Sequence, residues 1–345
     1  MNDSSLFNDT QMSGPPNLAL HELKDGQRAD CFALLSDRQS LTTREGKPFY
    51  RVTLRNRSCS IHQPIWSDSP WFDDCRQHWK IGDFFKIRAV YREDKRYGGQ
   101  LDIEKVRLVT NEDHDEGFDP ADFYERSRYD PDEMFAELTS IAQEQITHSS
   151  LKELVLKILD QYQTHIKQMP AATRYHHAFA GGFLEHTLSV TRTSVYLAEK
   201  YGTYYPNASP PLDRSLIVAG AILHDIGKLR ELAYDSEGSH YTPEGLLIGH
   251  ILMGRDLVRE MANSIEDLPE KMMLRLEHII VAHQNLPEWG SPKLPQTPES
   301  LLVHYADDMD AKIHMMMITL ENDTSEETFT TLKNPLRRDI YRETD

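Results

Sequence analysis

Cysteine is nearly missing from this chain: Cys31, Cys59 and Cys75 are its three, in 345 residues. Their odd number and wide spacing fit neither a zinc pattern nor a disulfide framework. They are expected to be small buried residues in a reducing compartment, which places the protein in the cytoplasm. Long hydrophobic runs are missing too. The longest apolar stretch, around Leu216 to Leu223, is far short of the roughly 20 residues of a membrane span, and no membrane partner is expected. The opening segment MNDSSLFNDTQMSG has neither a basic start nor an apolar stretch. No signal peptide is expected from it, and residues 1–16 read as a disordered tail. Internal repeats and low-complexity tracts are absent.

Positive charge is scarce overall, with 38 Lys and Arg against 55 Asp and Glu and a net charge of −17. The deficit is uneven. Residues 17–110 carry 17 basic and 13 acidic side chains, a balance of +4, whereas residues 111–345 carry 21 and 40, a balance of −19. Binding to a phosphate backbone needs only a local positive surface, so a nucleic-acid partner is not excluded. The acidic remainder suits carboxylate-rich metal sites and a solvated surface. With 39% hydrophobic and 27% charged residues, the chain is globular and long enough for two domains.

Residues 17–110 read as short strands. Alternation runs through residues 28–34, 49–54 and 84–91, with turn signals at Gly46-Lys47-Pro48 and Tyr97-Gly98-Gly99. About five strands in such a length predict a small β-barrel. Residues 111–131 are acidic with Pro and Gly, the composition of a linker. From Pro131 onward the period becomes helical, with helices expected over 132–146, 150–168, 183–201, 213–229, 244–262, 270–284 and 298–321. Thr297-Pro298-Glu299 reads as an N-cap followed by proline at the first helical position. The helical domain is expected over 132–322, and 323–345 as a polar, frayed tail.

The chemistry gathers on the helical half. His186, His224-Asp225, His250, His283 and Asp307 stand in that order. The His224-Asp225 pair is the most informative, because it ends an apolar helix running from Leu216. A buried polar group left unsatisfied costs roughly 1–3 kcal/mol, and a lone carboxylate more. A divalent cation supplies what both side chains need, and imidazole with carboxylate suits manganese, iron, cobalt or zinc. One carboxylate can bridge two ions, which could clamp the attacking and leaving oxygens of a phosphoryl displacement. Against this stands the ordinary fate of histidine, of which the chain has 16: most are surface or structural. Asp307 beside Asp308 could equally face solvent.

The order H…HD…H…H…D, with Leu223-His224-Asp225-Ile226-Gly227-Lys228 at its centre, resembles the HD superfamily of metal-dependent phosphohydrolases. More narrowly, the chain resembles the YhaM-type 3′→5′ exoribonucleases over residues 18 to about 320. The supporting segments are 175–187, Pro287-Glu288-Trp289-Gly290-Ser291-Pro292 and 304–312. The resemblance implies a multidomain chain, an N-terminal all-β OB-fold barrel followed by an all-α HD-type helical domain. It implies that His186, His224, Asp225 and Asp307 hold one metal, and that Asp225 bridges to a second held by His250 and His283. Manganese is the expected ion, with iron, cobalt, zinc and magnesium compatible.

Lys228 is expected to contact substrate phosphate, although a helix C-terminal cation is its plainer role. By the same resemblance, His176 or His177 lines the substrate pocket or donates a proton, His177 being the catalytic candidate, with a structural part as the alternative. Asp310 shares a helix face with Asp307 and is expected to support it. His278 and His304 read as structural, and Met315-Met316-Met317 as core.

OB-folds bind oligonucleotides by aromatic stacking and basic residues. The strand contacts expected here are Phe49, Tyr50, Trp66, Arg88, Tyr91, Arg92, Lys95 and Tyr97, with Phe32, Arg51 and Arg96 as further candidates and at least half of the aromatics reserved for the core. The turn Arg55-Asn56-Arg57-Ser58-Cys59 departs from the acidic-then-glycine turn of many OB relatives. The expected function is 3′→5′ hydrolysis of single-stranded RNA, and of single-stranded DNA as a second substrate, to nucleoside monophosphates by a homo-oligomer. The alternatives are a hydrolase of free or cyclic nucleotides and a non-catalytic nucleic-acid-binding adaptor.

Overall fold

The computed structural model describes residues 15–43, 45–57, 59–94, 98–124, 126–173, 177–235, 238–323, 327–332 and 334–343. Most of the expected disordered tail, together with Ser58, Lys95, Arg96, Tyr97 and His176, lies outside the described residues. The chain divides near residue 125 into two units, described here in turn.

The first unit is a five-stranded antiparallel sheet of β1 (Arg28–Thr42), β2 (Pro48–Arg55), β3 (Ser60–Trp66), β4 (Phe84–Asp94) and β5 (Gly98–Leu108), in the order β3-β2-β1-β4-β5. Strand β1 is long enough to serve both halves. Its residues 28–34 pair with β4 and residues 34–42 with β2, and the β1–β2 register shifts between Leu35 and Asp37 where the sheet turns. The Gln63 side chain on β3 accepts from the Leu101 amide on β5 at 2.8 Å, linking the sheet's two ends. Helix α1 (Phe72–Gln77) lies between β3 and β4 in sequence, and Arg38 donates to the Cys75 and Trp79 carbonyls at its C-terminal end. This is the topology of an OB-fold.

Inward residues of alternating strands, among them Val52, Leu54, Ile61, Ile65, Phe85 and Ile87, form its core with Trp79. Burial pushes the Cys31 thiol up to about 12 and Cys75 up to about 11, so both are inert packing residues. The unusual turn keeps its strands paired: the Asn56 side chain accepts from the Cys59 amide, and the Asn56 amide donates to the Cys59 carbonyl.

The acidic segment is not the linker that its composition suggests. It forms 3₁₀ turns at Asn111–Glu116 and Pro120–Phe123, and Phe118 and Phe123 pack on Phe32, Leu34 and Phe84. Both faces of residues 29–35 are therefore buried, where alternation predicted one solvated face. The carboxylates of this segment meet cations from the outer face of the strands. Asp113 accepts both Arg107 Nη groups, and Lys86 lies 3.4 Å from Asp113 and 2.5 Å from Glu116.

The second unit is helical: α2 (Pro131–Gln145), α3 (Ser149–Gln168), α4 (Gly182–Tyr204), α5 (Arg214–Leu223), α6 (Lys228–Glu231), α7 (Pro243–Ile248), α8 (His250–Ala262), α9 (Glu270–Ala282) and α10 (Pro298–Asn322). Helix α5 is the axis. Every residue from Ser215 to Leu223 is buried, so the helix is apolar on all sides and other helices surround it. The expected Thr297 cap is present, its hydroxyl accepting from the Ser300 amide.

Two predicted helices are broken. The 213–229 helix stops at Leu223 and turns through 224–227 into α6, because Gly227 abuts α8 so closely that a Cβ there would run into the His250 carbonyl and the Gly254 amide. The 244–262 helix breaks at Gly249, which has φ 81°, a conformation favouring glycine. Strands β6 (Leu232–Asp235) and β7 (Gly238–Tyr241) form a hairpin that the sequence reading did not anticipate. Nor is the tail merely frayed. Thr330 and Ile340 are buried and exchange hydrogen bonds, closing a small loop. Met317 is half exposed, against its expected place in the core.

Candidate metal centre

Four histidines from four places in the second unit turn the same ring atom inward. His224 stands one residue past the end of α5 and donates its Nδ1 hydrogen to the Ala221 carbonyl at 2.8 Å. His283 stands one residue past α9 and does the same to Ile280 at 2.7 Å. Each satisfies a last-turn carbonyl that a helix leaves without an internal partner. His186, within the second turn of α4, donates Nδ1 to Asp310 at 2.7 Å, and His250 donates Nδ1 to Glu231 at 3.1 Å. All four partners can only accept, so all four Nδ1 atoms carry a hydrogen, and each ring, once neutral, has its Nε2 lone pair free for a metal.

Asp225 lies among these lone pairs. Its Oδ2 is 3.6 Å from His186 Nε2 and 3.5 Å from His224 Nε2, and its Oδ1 is 3.4 Å from both His250 Nε2 and His283 Nε2. Asp307 joins the first pair, with Oδ1 at 3.2 Å from His186 Nε2. Among the described residues, Asp225 Oδ1, His250 Nε2 and His283 Nε2 are buried and make no hydrogen bond. Three buried acceptors facing one another repel unless a cation sits among them. The donor set therefore fits divalent metal, with His186, His224, Asp225 and Asp307 on one side of the Asp225 carboxylate and His250 and His283 on the other.

Electrostatics agree. Burial alone would raise the Asp225 carboxyl, but Lys228 and the surrounding imidazoles outweigh it and hold the group well below the usual carboxylate range. Burial opposes charge on His186 as well, yet the carboxylates of Asp225, Asp307 and Asp310 lift it well above an ordinary histidine. Burial pulls His224 down to about 4. Metal loading therefore displaces protons and weakens as pH falls. Lys228 Nζ lies 2.6 Å from Asp225 Oδ2. Although burial pulls the ammonium down, Asp225 keeps it charged.

The remaining expected residues separate cleanly. His177 does not face Asp225 in this arrangement. It reaches Asp310 at 3.1 Å, on the Nδ1 side of His186, and stacks on His314. Its contacts with Asp310 and His314 put it in a layer behind the ligands, which fits the structural part that stood as the alternative to proton donation. Asp310 has the supporting part expected of it, accepting also from Ser189. His278 accepts from the Gln296 amide and His304 donates to the His283 carbonyl, both structural.

Glu231 was missed. It holds His250 through both the Nδ1 and the backbone amide, and nothing marks it in the sequence because its partner lies 19 residues away across the β6–β7 hairpin. Ser189 could have been found, standing one turn after His186. Replacing Asp310 by asparagine puts an amide where two ring N–H groups need acceptors. It is expected to weaken metal affinity about 10- to 100-fold, as measured by metal titration of the purified variant. An affinity within twofold of the parent would show that His186 needs no such anchor.

The expected strand contacts on the barrel also divide. Phe49 and Trp66 face each other across β2 and β3 with ring centroids 4.8 Å apart, and Trp66 is 47% exposed. Arg92 is exposed and pairs with Asp102. Tyr50 and Tyr91 are partly buried and pack on the core, and Phe32 is buried beneath the acidic segment. Arg88 is a correction: it is 1% exposed and donates to both oxygens of Asp30, so it braces β1 against β4 and cannot reach a strand. Lys95 and Tyr97 lie outside the described residues.

Comparison with known proteins gives three results. Residues 183–312 match the HD domain family. Over 308 residues the chain is 31% identical to the 3′-5′ exoribonuclease YhaM of Bacillus licheniformis, covering 88% of this chain and 90% of that one. Among solved structures, a domain of replication protein A from Methanococcus maripaludis matches 27% of this chain and 94% of its own, at 13% identity and a TM-score of 0.22. Pot1pC of Schizosaccharomyces pombe, bound to single-stranded DNA, matches 28% and 87%, at 13% identity and a TM-score of 0.21. At those scores neither structure bears on ligand or activity. With nine-tenths of the relative's length matched and the HD-motif histidines converging on one carboxylate, the chain belongs to the family of the 3′-5′ exoribonuclease YhaM and is a metal-dependent hydrolase of the HD type.

Proposed function

We propose that this protein hydrolyses single-stranded RNA from the 3′ end, with single-stranded DNA as a second substrate, releasing nucleoside monophosphates. The observation that carries the reading is Asp225, whose two oxygens each face a pair of histidine lone pairs. We assign two divalent ions to this centre, whose mixture of imidazole and carboxylate donors suits manganese, iron, cobalt or zinc, and we take manganese as the native metal from the family resemblance. When bound, such ions supply Lewis-acid polarisation of the phosphodiester and a lowered pKa for the attacking water.

The chain's own residues do the rest. Asp310, Glu231 and two backbone carbonyls fix the four rings, so no reorganisation is needed at the moment of reaction. Lys228, a buried ammonium beside Asp225, stabilises negative charge on the phosphate. The Phe49–Trp66 pair on the barrel, with Trp66 exposed and Phe49 half-buried, supports strand binding by stacking.

We further propose a cytoplasmic homo-oligomer. Three free cysteines support the compartment. An exposed line of Leu301, Tyr305, Met309, Ile313 and Met317 along α10 supports self-association, to be checked by light scattering across a dilution series.

Incubation of 5′-labelled single-stranded RNA with the protein and Mn²⁺ is expected to give a descending ladder that a chelator stops. Intact RNA under several divalent ions, beside hydrolysis of free or cyclic nucleotides, would replace this reading with the small-substrate one. Binding of RNA without turnover of any of these would leave an adaptor.

A further inference from the structure

Beside the centre lies a cleft of about 480 Å³, lined by Lys228 and His250 and by Trp289, Tyr241, Ile248 and Leu252. Its volume falls within the roughly 300–1,000 Å³ of small-molecule sites. The four apolar side chains are unusually open for their size, at 48%, 45%, 50% and 44% exposure respectively. Trp289 is held there rigidly. It ends the 3₁₀ turn Pro287–Trp289, Gly290 follows at φ 96°, and the amides of Trp289, Gly290 and Ser291 all bond back to Leu286 or Pro287. Lys312 Nζ lies over the indole at 5.6 Å from its centroid, yet about half of the ring stays open to solvent at the lip of a charged cleft, where burying it would be favourable. It is preorganised for something flat.

The charges say what the flat group is attached to. Lys228 is a cation on the wall that adjoins Asp225; Glu231, engaged by His250, and the polar Gln284 line the cleft as well, and the apolar side chains form much of the remaining lining. A group that is anionic at one end and planar at the other, and small enough for this volume, matches a single nucleotide.

We infer that this cleft seats the 3′-terminal nucleotide of the strand, its phosphate toward Lys228 and its base against Trp289 and Tyr241. The inference rests on the nuclease reading above and extends it to specificity. Stacking on an indole and a phenol reads that a base is present and not which base it is, so the enzyme should accept all four bases and discriminate against a terminal residue that has none.

The test compares two oligoribonucleotides, one ending in an ordinary nucleotide and one in an abasic ribose, with the metal-loaded full chain and its Trp289→Ala and Trp289→Phe variants. The parent is expected to favour the ordinary end by roughly tenfold or more in kcat/KM. Trp289→Ala should bring that ratio close to one, mainly through KM, and Trp289→Phe should keep most of it. Equal rates on both ends with the parent, or an unchanged ratio in Trp289→Ala, would overturn the assignment.

A binding arm separates this from failure of the nuclease reading. Adenosine monophosphate should quench tryptophan emission where ribose 5-phosphate does not, and Trp289→Phe should lose the quench. That result in a protein that cleaves no RNA would support the cleft and sink the nuclease; no quench by either compound would sink the cleft.

Discussion

Asp225→Asn is expected to lower hydrolysis by on the order of 10³-fold or more, with the fold unchanged by circular dichroism. Asparagine keeps the volume but removes the charge and replaces one acceptor by an NH₂ donor. That donor must face either the His186–His224 pair or the His250–His283 pair, so one half of the centre loses its ligand whichever way the amide turns. Metal content measured on the purified variant should fall with activity. So should the stabilisation that metal gives the parent, which at a hundredfold excess over Kd is about 2.7 kcal/mol, or several degrees in Tm. Asp308→Asn is the matched control, since Asp308 pairs with Lys312 and is not among the ligands. Full metal content and activity within tenfold in Asp225→Asn would remove Asp225 from its bridging place.

The second large effect is on stability. Asp113→Asn is expected to destabilise the barrel unit by about 3–5 kcal/mol, because it leaves Arg107 and Lys86 buried without a full counter-charge. Burial alone would raise the Asp113 carboxyl. Arg107, the Thr110 amide and Lys86 outweigh that and hold it well below the usual carboxylate range. A depressed folded-state pKa stabilises the fold at pH values above the unfolded carboxyl's, about 3.9, and the contribution is lost as pH falls toward the folded value. The parent should therefore lose barrel stability below about pH 4, and the variant should show a flatter acid limb. Urea unfolding followed by tryptophan emission reports on this unit, since Trp66, Trp71 and Trp79 of the chain's four tryptophans lie in it. A midpoint unmoved relative to exposed Glu112→Gln would show that the pair contributes nothing.

Much of this was legible in the chain itself. Helix periodicity located the α-helices to within a few residues, and the vicinal His224-Asp225 at the end of an all-apolar helix announced the centre, because that pairing is costly without a ligand. Two kinds of information were not local. Glu231 matters through a partner 19 residues away across a hairpin and carries no local mark; Asp310 was visible only through the helix face it shares with Asp307, because its partner His186 lies 124 residues away. Arg88 failed for a related reason. On an alternating strand it reads as a solvent-facing cation, and only the folding back of 111–123 over the barrel, with Asp30 opposite it, makes it a buried brace. The broken helices failed at Gly227 and Gly249, where close approach and a positive φ overrule periodicity.

The packed acidic segment has a last consequence. Residues 111–125 contain seven Asp and Glu and no Lys or Arg, which turns the balance of +4 over 17–110 into −3 over 17–125. A surface so neutralised displaces few condensed counterions from a polyanion, and each phosphate contact contributes only about 0.7 to the slope of log K against log salt for single strands. Strand binding by this unit should thus show a shallow ionic-strength dependence, carried by ring stacking on Phe49 and Trp66, and should persist at salt concentrations that strip a conventionally basic OB module.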